Sequence, residues 1–196
     1  MSPKKSALPR GFKAEAERIA VRLRKELRLS VWDPLPATKL AEHLDVLLIR
    51  LSDLPLEPDR LAFMHGLTGT PIEWHAATII GEDEKPRIVH NCGCSVARQE
   101  SNLMHELSHI LRGHKHEREE TYFGFPTRFY NPVHEAEAAC LGATLQLPKP
   151  VLLWTLREKW EDQVIAERYG ASLKMVQFRK YDSGAVRIRS RIDTRA

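Results

Sequence analysis

The chain has 196 residues, 42% of them apolar, and its 30 basic residues outnumber 26 acidic ones for a formal charge of +4. That length and apolar share can bury a full core as one domain, or one domain with a small appendage. No apolar run approaches the roughly 20 residues of a membrane-spanning helix, and three cysteines, an odd number, form no disulfide framework.

Residues 1–10 are polar, with Pro3, Lys4, Lys5 and Pro9, and are expected to form a disordered tail. They lack the apolar core of a secretion signal, so a cytoplasmic location is expected. Phe12 to Leu29 reads as a charged amphipathic helix, and Pro36 to Leu44 as a short second one. Asp45 to Leu51 reads as a buried strand and Ser52 to Arg60 as a loop or strand connection. Leu61 to His65 and Glu73 to Ile80 read as strands, with turns at Gly66 and at Gly69-Thr70-Pro71. Arg87 to Asn91 is the last strand before the longest helix. Cys92-Gly93-Cys94 lacks the second cysteine pair that a metal or redox site would need, so it reads as the turn between strand and helix.

The helix Ala97 to Arg112 contains neither Pro nor Gly. Ser95 is its expected N-cap and Gly113 its stop. Leu103, Leu107, Ile110 and Leu111 mark an apolar stripe at helical spacing. Within it, His105-Glu106-Leu107-Ser108-His109 spells H-E-x-x-H. Positions i and i+4 share one helix face, so His105 and His109 can both offer an imidazole nitrogen to a single Zn²⁺. Glu106 sits beside them, placed to take a proton from an attacking water. The pentapeptide arises by accident about 0.04 times per chain of this composition, so its surroundings must add specificity.

A catalytic zinc site of this type needs a third protein ligand. The metzincin spacing would place a glycine at 112 and a histidine at 115, where Arg112 and Lys115 stand instead. His114 and His116 lie beyond Gly113 and read as solvated loop residues. The segment Arg112 to Tyr130, with Gly124 and Pro126 among aromatics, suits a loop that partly covers an active site. Downstream, Asn131-Pro132 reads as an N-cap followed by proline at the first helical position. An alanine-rich helix then runs to Leu147 and is ended by Pro148 and Pro150. Glutamates on that helix, Glu135 and Glu137, suit a His₂Glu ligand set.

These paired segments resemble the ImmA/IrrE family of bacterial and phage metallopeptidases across roughly residues 12–185. Asn91 takes the place of the asparagine closing the strand, and Arg98 that of the arginine early in the active helix. The run from Glu135 to Pro148 follows the second family signature nearly position for position. Asn102-Leu103-Met104 and Leu141-Gly142 depart from it in residues that affect helix packing. The resemblance implies that Glu135 is the third metal ligand, with Ala138, Ala139 and Gly142 on the same small-residue face. Glu137 points to a different face and reads as a hydrogen-bond partner of a ligating histidine or as solvated charge. His134 and Tyr130 are candidates to steady the oxyanion.

The fold expected is α+β: zincin-like helices packed on a small, mostly antiparallel sheet, with a helical C-terminal extension. Its divisions are a tail over 1–10, a peptidase domain over 11–150, the extension over 151–185 and a basic tail over 186–196. Glu161 to Tyr169 and Leu173 to Tyr181, joined by Gly170-Ala171-Ser172, read as a helix-turn-helix-like pair with Ser172 as an N-cap. Direct DNA contact is not favoured, because the basic excess is mild. The function expected is zinc-dependent endoproteolysis, with Mn²⁺ also compatible with these ligands. The resemblance implies a regulatory protein as substrate, a helix-turn-helix repressor or an antitoxin, in prophage or toxin–antitoxin control. The rival expectation is a non-proteolytic regulator that works by protein or DNA contact.

Overall fold

The computed structural model describes residues 8–64, 75–80, 83–114, 120–122, 125–127 and 131–194. In chain order its elements are α1 (Phe12–Glu26), α2 (Ala37–His43), β1 (Leu47–Arg50), α3 (Pro58–Met64), β2 (Ala76–Ile80), β3 (Pro86–His90) and α4 (Val96–Arg112). There follow β4 (Glu120–Tyr122), β5 (Phe125–Thr127), α5 (Pro132–Gln146), α6 (Lys149–Arg157), α7 (Asp162–Tyr169), α8 (Leu173–Asp182) and α9 (Ala185–Asp193). The fold is α+β, as expected. It separates into two compact units, one of residues 37–129 and one of residues 1–36 with 130–196.

The first unit is built on a three-stranded sheet in the order β1-β3-β2. β2 runs antiparallel to β3 with Thr78 opposite Ile88, and β1 runs parallel to β3 with Leu48 opposite the same residue. The sheet is therefore mixed. Central β3 buries Ile88, Val89 and His90, whereas edge strand β1 leaves Leu47 exposed, so the expected strand over 45–51 is shorter and less buried than its apolar run suggests. Leu51, Met64 and Val89 form a buried cluster, with Leu61 and Ile79 packed against it.

That cluster explains a correction. Residues 61–64, expected as a strand, belong to α3. Pro58 and Asp59 suit a helix start, and Leu61 and Met64 meet the cluster at a spacing of three, which only a helix permits. The expected turns at Gly66 and Gly69-Thr70-Pro71 lie outside the described residues. So do residues 1–7 of the expected tail. Part of the expected loop 112–130 forms a small hairpin, in which Tyr122 of β4 pairs with Phe125 of β5.

His90 carries a prediction of its own. Its Nδ1 finds no hydrogen-bond partner among the described residues. Burial, aided by the Arg50 guanidinium and opposed by Asp53, holds its imidazole below the ordinary value of 6.5. An unfolded chain takes up a proton there that the folded chain resists, so this contribution is lost as pH falls below about 6.5. His90→Gln is expected to show a smaller fall in Tm than wild type between about pH 7.5 and 5.5. An unchanged fall in thermal-melt titrations would refute it.

The second unit joins α1 to α5 and α6–α9. Phe12, Ala16, Ala20, Leu23 and Arg24 are buried at spacings that place them on one face of α1, which packs on α5. Arg24 is fully buried, and burial lowers its guanidinium to about 10. It donates to the carbonyls of Ala20, Asp33 and Leu145 at 3.2, 3.1 and 2.8 Å. Arg179 donates to the carbonyl of Leu147 at 3.0 Å and pairs with Glu17 at 2.8 Å. Two arginines thus satisfy carbonyls at the C-terminal end of α5, where helix geometry leaves acceptors without partners.

The C-terminal helices share a core of Leu147, Val151, Leu152, Ile165, Tyr169, Val176 and Ala185. Gly170, at φ 59°, closes α7 in the left-handed region, and Ser172 accepts from the Met175 amide at 3.1 Å to open α8. The Tyr169 hydroxyl donates to the carbonyl of Trp32 at 2.6 Å, fastening these helices to the segment after α1. The basic stretch expected as a tail forms most of α9. No helix among the described residues is long and apolar enough to cross a membrane.

Candidate metal centre

The approach to α4 is fixed by polar contacts rather than by packing alone. Asn91 is buried; its amide nitrogen donates to the Met64 carbonyl at 3.2 Å, and its Oδ1 accepts from the Gly93 amide at 2.9 Å. The Gln99 side chain reaches back to the carbonyls of Cys92 and Cys94 at 3.1 and 2.8 Å. Cys92-Gly93-Cys94 is thus the expected turn, and its cysteines are free thiols. Ser95 caps the helix by accepting from the Arg98 amide at 3.4 Å. Arg98 itself is exposed.

On α4, Leu103, Met104 and Leu107 are buried and hold the helix in its unit. His105 and His109, one turn apart, bring their Nε2 atoms to 3.1 Å from each other. Without an ion that separation suits an N–H···N hydrogen bond, one ring donating and the other accepting according to tautomer. For two nitrogens on one tetrahedral zinc, bonds of about 2.0–2.1 Å imply a separation of about 3.4 Å. The pair therefore fits a shared metal ion. His109 is 1% exposed, so bulk water competes poorly for that position.

Glu106 is also buried, and its Oε2 accepts a hydrogen bond from the Thr78 hydroxyl at 2.6 Å. Thr78 projects from β2 and is itself buried. The hydroxyl fixes one carboxylate oxygen and thereby orients the other. Thr78→Val keeps the shape but removes the donor. Loss of a hydrogen bond to a charged acceptor is expected to cost about 1.5–3 kcal/mol of stability, with Thr78→Ser close to wild type. Chemical denaturation checks this, and equal stability of the Val variant would refute it.

The end of α4 shapes the site as well. Gly113 adopts φ 62°, where a side chain is strained and glycine is not. Its amide donates to the Ile110 carbonyl at 3.0 Å, and the His114 amide donates to the His109 carbonyl at 3.0 Å. This pair of bonds is a Schellman motif, which turns the chain back so that the second residue past the helix meets one in its last turn. Here those residues are His114 and His109, and their Nδ1 atoms lie 2.9 Å apart. His114 is therefore no solvated loop residue, contrary to expectation; the glycine turns it toward the site. His116 lies outside the described residues.

The remaining candidates lie on α5, in the other unit. Asn131 caps that helix, accepting from the amides of Val133 and His134 at 3.0 and 3.4 Å, with Pro132 at its start. Glu135 occupies the first turn, where the helix dipole favours a carboxylate. Its side chain is half-buried, as is that of His134, whereas Glu137 is buried at 7% exposure. Burial removes the solvated-charge reading of Glu137. Tyr130 lies outside the described residues.

Thr78 was not singled out by sequence, whereas His114 reads there as a solvated loop residue. A buried strand threonine carries no motif. His114 was legible in principle, since a histidine directly after a helix-ending glycine folds back onto the last turn.

A family model for a peptidase domain, described as the IrrE N-terminal-like domain, matches residues 42–181. None of the curated proteins compared with the chain matches it.

Proposed function

Because the chain belongs to the IrrE N-terminal-like peptidase family and is a metallopeptidase, we propose that it cleaves an intracellular regulatory protein at a zinc centre held by His105, His109 and Glu135. The observation that carries the reading is the convergence of the two Nε2 atoms at 3.1 Å beside a buried, hydrogen-bonded Glu106. With Glu135 these histidines make up a ligand set that could hold one metal ion. Two imidazoles and a carboxylate suit zinc, and Mn²⁺ would serve as a harder alternative. When bound, such an ion lowers the pKa of water and polarises the carbonyl under attack.

The chain's own residues supply the proton handling. Glu106 takes a proton from the attacking water on the carboxylate oxygen that Thr78 does not hold. It then returns that proton to the amine nitrogen of the broken peptide bond. His134 and Tyr130 are the candidates to donate toward the oxyanion, and Glu137 to hold a ligand in place.

The substrate in this reading is a helix-turn-helix repressor or an antitoxin, whose loss changes gene expression in the cytoplasm. It rests on the family signatures around His105 and Glu135. The experiment incubates purified, zinc-loaded chain with helix-turn-helix regulators from the same organism, and follows intact mass. Two fragments summing to one regulator plus water are expected from wild type. Relief of repression by Glu106→Gln with the regulator uncut would establish instead a regulator that works by contact.

A further inference from the structure

A histidine that binds metal through one ring nitrogen has a second nitrogen to satisfy. For His109 the nitrogen facing His105 is Nε2, so Nδ1 must carry the proton when Nε2 gives its lone pair to a metal. His109 is 1% exposed, which leaves that N–H dependent on an acceptor from the protein. A buried N–H without an acceptor is costly, because it has lost its hydrogen bond to water. Nδ1 of His114 lies within hydrogen-bond distance of the His109 Nδ1, at 2.9 Å, with the two rings edge to face at 71°.

We propose that His114 is a positioning residue, which accepts the Nδ1–H of His109 and so holds that ring in the tautomer and orientation able to bind metal. The inference rests on the metal-centre reading above and adds to it a residue outside the H-E-x-x-H pentapeptide. His114 cannot be a further ligand through the contacting atom. Its Nδ1 meets His109 at the ring nitrogen opposite the one directed at His105, and its lone pair is engaged there.

The backbone supports the assignment independently of the side chains. The left-handed Gly113 and the bond from the His114 amide to the His109 carbonyl fix the two residues against each other. In a Schellman motif this contact is ordinarily between apolar side chains. A pair of histidines there replaces a packing contact with a directional one. Such partners of ligating histidines are worth about 10–100-fold in metal affinity.

The test uses the full chain and zinc alone, by competition against a chromogenic chelator, with thermal unfolding of the metal-free chain alongside. His114→Phe keeps a ring but removes the acceptor and is expected to weaken zinc binding about 10–100-fold. His114→Asn, whose side-chain oxygen lies near the place of Nδ1, is expected to recover most of that loss. Nitrogen NMR of the His109 ring supplies a metal-free readout: wild type is expected to hold the Nδ1–H tautomer, and His114→Phe to lose that preference. Zinc affinity and tautomer both unchanged in a folded His114→Phe would overturn the inference while leaving the metal centre standing. A wild-type chain that binds no zinc would overturn the metal centre and this inference with it.

Discussion

Glu106→Gln is expected to lower peptide-bond hydrolysis about 10²–10⁴-fold, the range for loss of a general acid–base group. Glutamine preserves the size of the side chain, and its carbonyl oxygen can still accept the Thr78 hydroxyl that holds Glu106 at 2.6 Å. The amide cannot take the water proton or return it to the leaving amine. Zinc uptake should therefore match wild type, because Glu106 is not among the proposed ligands. A variant that binds zinc normally and cleaves at the wild-type rate would remove Glu106 from the mechanism. Proteolysis assays and metal analysis on the same preparation give both readings.

His109→Ala is expected to abolish stable zinc binding, exceeding the about 100-fold limit typical of losing a histidine's outer partner. The substitution also empties a buried position, since His109 is 1% exposed and touches both His105 and His114. Truncating a buried ring to alanine costs on the order of 2–5 kcal/mol. His109→Gln separates the two effects by keeping most of the volume while losing the imidazole. It should melt closer to wild type in metal-free buffer and still fail to retain zinc in competition. Retention of zinc by a folded His109→Gln would contradict the ligand assignment.

What could be read from the chain divides along the range of the signals. Ser95, Gly113, Asn131-Pro132 and Ser172 act within one helical turn of themselves, and each caps or ends a helix as its local chemistry dictates. H-E-x-x-H is equally local, so its paired nitrogens followed from helix geometry. α3 escaped because a four-residue apolar run fits either period, and the buried cluster around Leu51 decides between them. The parallel pairing of β1 with β3 escaped for a different reason. Those strands are separated by α3 and β2, and nothing within either one announces its partner. Thr78 became visible only once pairing of β2 with β3 placed its hydroxyl against α4.

The second compact unit fixes α5 in place. Its α1 and C-terminal helices hold α5 through Arg24 and Arg179, fully or nearly fully buried cations that bind carbonyls at the end of that helix. Glu135 stands at the other end of α5, in a first turn capped by Asn131. A glutamate proposed as a metal ligand is thus carried on a helix secured at both termini, a rigid mount suited to precise ligand geometry.

The most direct measurement compares newly formed protein N-termini in cells producing wild type, Glu106→Gln or His109→Gln. The account predicts an internal N-terminus in a DNA-binding regulator with wild type alone, accompanied by expression of the genes it controls. The same genes responding to all three proteins, with identical sets of N-termini, would contradict it.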